Sequence, residues 1–354
     1  MMTKRITFCA ATMLFLVALP SPALGEEIGR YPLNLRPNEW VSQFHIAEDG
    51  FPLVAAVSQE PLSTTFIRPG VGGEGARIRL DGFRLNVMKP LQRADRYFVS
   101  GVSGDRFDGK VIDLRGNEVV EVWTSQSLRP LLPPEAVLDV TSNGGRWAAA
   151  REIAGGFELL TGRTSEPDRR NTIKVEIQKR GYRGIVGDAF DLRLIETGDR
   201  TIAAVIARGS VYLIDPEGGT LVNSISESSP ISDIAWDDED QTIWAQSVSA
   251  WSAYSVSWRG GERDRPMVSR RANVDAISSS SRNLHAQRGR LILPRCQSGQ
   301  CRVELRNGNR GTTEVVLPGA SEQALIRSNK SGTLVGVLPA GPRSSELLVV
   351  GLPR

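Results

Sequence analysis

The chain has 354 residues, with 43 Lys and Arg against 40 Asp and Glu, two histidines and three cysteines. This near balance of charge excludes an electrostatic nucleic-acid binder. No stretch after the N-terminal region approaches 18 consecutive apolar residues, so no later segment reads as a membrane-spanning helix.

The first 25 residues read as a cleavable secretory signal peptide. Lys4 and Arg5 form a basic start, Ile6 to Leu19 is a short apolar run, and small residues end the segment before Glu26. Cys9 lies inside the apolar run and is not placed as a lipid acceptor. Removal of residues 1–25 would leave 41 basic residues against 40 acidic ones, because Lys4 and Arg5 are the only charges in that segment. The expectation is a periplasmic protein, not inserted in the membrane after cleavage, with residues 26–354 forming one domain.

Segments of strand character then follow in a fixed rhythm. RYPLNLRP at 30–37 stands alone. VSQFHIAE at 41–48, DGFPLVAAVS at 49–58 and TTFIRPG at 64–70 form a first unit. FRLNVMKP (83–90), ADRYFVSGVS (94–103), KVIDLRG (110–116) and EVVEVW (118–123) form a second. AVLDVTSN (136–143), GGRWAAAREI (144–153), GFELLTG (156–162) and TIKVEIQ (172–178) form a third. The fourth holds FDLRLIET (190–197), GDRTIAAVIA (198–207), SVYLIDP (210–216) and TLVNSIS (220–226). The fifth holds ISDIAWDD (231–238), EDQTIWAQSV (239–248) and AYSVSWRGG (253–261). The sixth holds VDAISSSS (274–281), RGRLILPRC (288–296) and RVELRNG (302–308). QALIRSNK (323–330), SGTLVGVLPA (331–340) and ELLVVGLP (346–353) form the seventh.

Seven units at a period of about 40–50 residues, each with up to four antiparallel strands, are the signature of a β-propeller. One blade cannot bury both of its faces; neighbours around a ring can, and so the phrase recurs. The fold class expected is all-β, a seven-bladed β-propeller of four-stranded blades. The seventh unit lacks a fourth strand, and residues 30–37 are expected to supply it and close the ring, removing an exposed sheet edge. The chain resembles the WD40-like and quinoprotein-like propeller superfamily at the level of fold. Trp236-Asp237 touches the Trp-Asp signature, but no unit carries the full pattern, and the tryptophan-docking repeat of quinone enzymes is absent. The resemblance implies an architecture and no active site.

Cys296 and Cys301, in CQSGQC, are expected to form a disulfide at a loop tip, as suits an exported protein. The connections between second and third strands gather on one face of a propeller, and the odder loops fall there. They bring Arg106 and Phe107, Trp251, and Arg343, while Leu131 and Leu132 lie between the second and third units. Aromatic, Arg and apolar tips suit a surface that binds another envelope protein; plain capping of the ring is the competing reading. Asp139, Asp191, Asp233 and Asp275 fall on expected inner strands and could face the channel. They leave open a metal-assisted, lactonase-like hydrolase, or simple bonding to a neighbouring blade. A non-catalytic subunit of a periplasmic redox complex is a third reading. No catalytic set, cofactor site or metal site is assigned. His45 is expected to pack or line the channel. The acidic run 237–240 reads as a solvated turn. The segment 165–184, rich in Arg and Lys, reads as an outer strand that could also meet an anionic partner.

Overall fold

The computed structural model describes residues 23–70, 75–93, 95–115, 118–122, 136–177, 189–197, 200–247, 250–258, 266–275, 285–287, 290–307 and 312–353. They form seven antiparallel sheets of four strands, arranged as the blades of a propeller. From the channel outward, blade one runs Glu39–Ile46, Pro52–Gln59, Leu62–Arg68 and Ala76–Asp81. Blade two runs Phe83–Pro90, Arg96–Ser103, Arg106–Asp113 and Glu118–Val122. Blade three runs Val137–Val140, Arg146–Ile153, Gly156–Arg163 and Glu166–Glu176. Blade four runs Asp191–Thr197, Arg200–Ala207, Ser210–Asp215 and Thr220–Ser226. Blade five runs Ile231–Asp237, Thr242–Ser247, Ala250–Trp258 and Pro266–Asp275. Blade six runs His285–Gln287, Arg290–Gln297, Gln300–Asn307 and Thr312–Leu317.

Blade seven contributes Leu325–Ser328, Leu334–Leu338 and Glu346–Gly351, and its outer strand is Glu26–Pro32 from the N-terminal end. The ring therefore closes as expected, but with a different segment. The pairing runs from Glu26↔Gly351 to Pro32↔Glu346, so it overlaps the expected 30–37 only at its first three residues. Pro32 has no N–H to continue a ladder, and Asn34 turns left-handed at φ 48°. Leu33 is fully buried beyond that point, in the core between blades seven and one. Ala23 and Leu24 add a short parallel pairing to the outer strand of blade six.

The apolar core is divided among the blade interfaces. Each of its seven clusters joins one blade to the next. This explains why the second strands are apolar on both faces and rich in small residues. Ala148, Ala149 and Ala150 are all fully buried, as are Ala203 and Ala204. At Gly336 the interface is tight: a Cβ there would meet Ile46 Cδ1 at 2.5 Å and Phe44 Cε2 at 2.8 Å, so one of these side chains would have to shift.

One expectation on the sixth blade is corrected. The inner strand of blade six is His285–Gln287; of the expected 274–281, residues 276–281 lie outside the described residues. Val274 and Asp275 instead extend the outer strand of blade five, opposite Trp251 and Ala250. Alternation alone cannot distinguish the end of one ladder from the start of the next. The Cys296–Cys301 disulfide is present. The two cysteines are directly opposed across a hairpin whose turn residues, Ser298 and Gly299, both have positive φ, the geometry of a tight two-residue connection.

Candidate functional site: the channel and its mouth

The inner strands ring the channel, and their charged side chains tie successive blades together. Gln43 of blade one donates to Asn86 O at 2.6 Å and accepts from Met88 N at 3.0 Å. Lys89 of blade two reaches both carboxylate oxygens of Asp139 on blade three at 2.8 Å. The same carboxylate accepts from Val140 N at 2.8 Å and from Leu194 N of blade four at 2.7 Å. Arg193 of blade four donates to Asp233 of blade five at 2.7 Å and lies 3.4 Å from Asp191. Arg327 of blade seven lies over the Phe44 ring at 5.9 Å.

The electrostatics follow from this crowding. Burial pushes the Asp233 carboxyl above the usual carboxylate range, against the pull of Arg193. Burial also opposes the Arg193 charge, but Asp233 and Asp191 outweigh it and hold the guanidinium above its ordinary value. Arg327 is lowered, first by burial and then by repulsion from Arg193. Lys89 pairs with Asp139, and Arg193 with Asp191 and Asp233, so ion pairs join blade two to blade three and blade four to blade five. Of the four inner-strand acids expected from sequence, Asp139, Asp191 and Asp233 are placed there. Asp275 is not, because it belongs to the outer strand of blade five. Among the described residues, no group of three or more His, Cys, Asp or Glu is arranged to hold a metal ion.

The connections from first to second strands open on one face, and a cavity of about 500 Å³ lies there between blades one and two. Phe51, Leu53, Leu91 and Leu114 contribute an apolar lining. Arg68 lies over the Phe51 ring at 5.5 Å and is ion-paired with Asp95. Arg96 pairs with Asp113 at 2.9 Å. The His45 ring meets Tyr97 edge-on at 5.8 Å, so His45 both packs and lines the cavity. Burial pushes the Tyr97 phenol up to about 12, with Arg68 opposing. Glu48 accepts from Asn329 Nδ2 at 3.0 Å and Ser331 N at 2.9 Å, fastening the blade-seven loop to the blade-one loop.

The residues expected to form a partner surface on the opposite face are dispersed. Phe107 is 3% exposed and Trp251 2% exposed. Both are core residues, Phe107 between blades two and three and Trp251 between blades five and six. The correction has a simple cause. Arg106 opens its strand immediately after the Gly104–Asp105 turn, and Ala250 opens the strand holding Trp251. What reads as a loop is the end of a hairpin. Arg343 is exposed, on the 3-10 turn Gly341–Arg343. Leu131, Leu132 and the Arg106 side chain lie outside the described residues. The acidic run is a turn: Asp237 is fully buried and accepts from Glu239 N at 3.2 Å and Asp240 N at 3.3 Å. Arg68, Asp95 and Tyr97 at the channel mouth were not singled out by sequence, because each merely flanks a turn of ordinary composition.

No protein-family model and no curated protein matches the chain. Among solved structures, it superimposes on the Cps50 (Swd1) β-propeller domain of Myceliophteria thermophila with a TM-score of 0.63. The match covers 93% of this chain and 100% of that one, at 11% sequence identity. The fold is that of a β-propeller. A chain of a mitotic checkpoint complex also matches, at a TM-score of 0.46 and 10% identity over 90% of this propeller and 77% of that chain.

Proposed function

We propose that this propeller is exported to the periplasm and acts there as a protein-binding scaffold of the cell envelope. The observation that carries the reading is the cavity at the channel mouth, between blades one and two. An apolar lining from Phe51, Leu53, Leu91 and Leu114, rimmed by Arg68, Asp95, Arg96 and Lys330, suits one apolar anchor of a partner with polar contacts around it. The surface lies on the face opposite the Arg343 turn. The channel acids support a structural role rather than a hydrolytic one. Asp139 already accepts from Lys89, Val140 and Leu194, and Asp233 from Arg193 and Ile234.

Fractionation and N-terminal sequencing test export: a periplasmic chain beginning at Glu26 is expected, and a cytoplasmic chain with its first residues intact would refute it. Affinity capture from intact cells after crosslinking tests the scaffold. A single dominant partner should be recovered with the native chain and with Arg343→Glu, and lost with Leu91→Arg, which fills the cavity. No partner, or a partner indifferent to Leu91→Arg, would overturn the reading.

A further inference from the structure

A smaller cavity, of about 230 Å³, opens beside the channel-mouth cavity on the same face, between blades two and three. Phe98, Val111 and Val140 give it an apolar wall. Leu91, Gln92 and Arg96 line both cavities, so a single ridge, the turn that begins at Leu91, separates them. The backbone holds this ridge from both sides. Leu91 N donates to Arg96 O at 2.9 Å within blade two, and Gln92 N donates to Ser142 O of blade three at 2.6 Å. Leu91 also packs on the core between blades two and three. The two depressions are therefore preformed at a fixed separation, which spares a ligand the cost of ordering them.

At about 230 Å³ the smaller cavity falls below the ~300–1,000 Å³ of small-molecule sites and suits one apolar side chain. Alternate side chains of an extended chain project to one side about 7 Å apart. That step carries two of them over a ridge one side chain wide. The rim charges differ between the two ends. The larger cavity has Glu48, Asp49 and Asp95 beside Arg68, Arg96 and Lys330, an even balance. The smaller has Arg93 and Arg96, with no acidic residue among the described ones that line it. Arg96 is held by Asp113. Arg93 is exposed, with no side-chain ion pair or hydrogen bond among the described residues. Arg93 does not make a site by itself; the apolar cavities do, and Arg93 sets the charge that fits beside the smaller one.

We infer that the partner engages this face through one extended segment. Two apolar side chains, with one residue between them, sit on either side of Leu91, and an acidic residue lies beside Arg93. The inference rests on the partner reading above and adds to it the chemistry of the segment bound.

Selection of random short peptides displayed on phage against the full chain tests it. Enriched peptides should share two apolar positions, one residue apart, with Asp or Glu next to one of them. Synthetic copies should bind at least about tenfold more weakly when either apolar residue is changed to Ser. They should bind about fivefold more weakly to Arg93→Glu. Replacing the acid of the peptide by Lys should restore binding to Arg93→Glu, an exchange of preference that a merely structural role would not produce. Arg93 is exposed, so this variant stays folded even if Leu91→Arg disturbs its blade. Enriched peptides with one apolar position, lost with Leu91→Arg but indifferent to Arg93→Glu, would overturn the inference and leave the partner reading standing. No shared pattern, or binding indifferent to Leu91→Arg, would also overturn it, and the partner reading then stands or falls by its own capture experiment.

Discussion

Asp139 accepts hydrogen bonds from three consecutive blades, through Lys89, Val140 and Leu194. A side chain so used is a fastener of the ring. Asp139→Ala leaves the Leu194 N–H without an acceptor and strips the Lys89 ammonium of its counter-charge, leaving it the Val140 carbonyl, and should cost about 3 kcal/mol of stability in equilibrium denaturation; a loss below about 0.5 kcal/mol would contradict the role. Trp251 belongs to the core between blades five and six, so Trp251→Ala should cost about 3–5 kcal/mol in the same measurement. Tyr97 carries a prediction about pH. Its folded pKa is raised to about 12 from 10.0, chiefly by burial. The folded chain therefore holds the phenol proton where the unfolded chain has lost it. The stability from this group is complete below about pH 10 and falls, by roughly 1.4 kcal/mol per pH unit, as the pH rises toward 12. Tyr97→Phe should flatten that loss in denaturation experiments across the same window, and an unchanged slope would remove Tyr97 as its source.

At the scale of elements, the third and fourth strands of blade four were the most legible. SVYLIDP at 210–216 matches the strand Ser210–Asp215, and TLVNSIS matches Thr220–Ser226. Alternating apolar residues end there in a Gly or Pro turn, which states both period and boundary. Strand ends beside very tight hairpins were not legible. Phe107 follows a two-residue turn, and a Gly-Asp pair reads equally well as a long polar loop. The closing strand was placed correctly against the last blade but out of position, because Tyr31, Leu33 and Leu35 alternate like a strand although only Tyr31 is paired in one. The observed register can be checked directly. Tyr31 and Leu347 face each other across the closure, so Tyr31→Cys with Leu347→Cys should crosslink on mild oxidation. Failure to crosslink in the folded double variant would refute this register.

At the scale of the molecule, the seven core clusters each span one blade interface. No blade holds a core of its own, which is why the repeat announced the architecture. The cavities arise where two blades meet, from residues far apart in the chain: Arg68 with Asp95, or Leu91 with Val140. A single sequence gives no sign of such pairs, and the sequence reading therefore looked to the opposite face. The most direct test of the partner-binding claim is a photoreactive amino acid placed at position 91 in the channel-mouth cavity, with position 343 on the other face as control. Irradiation of intact cells should yield a discrete crosslinked protein from position 91 and none from position 343. Crosslinks from position 343 alone, or from neither position, would contradict the assignment of this face as the binding surface.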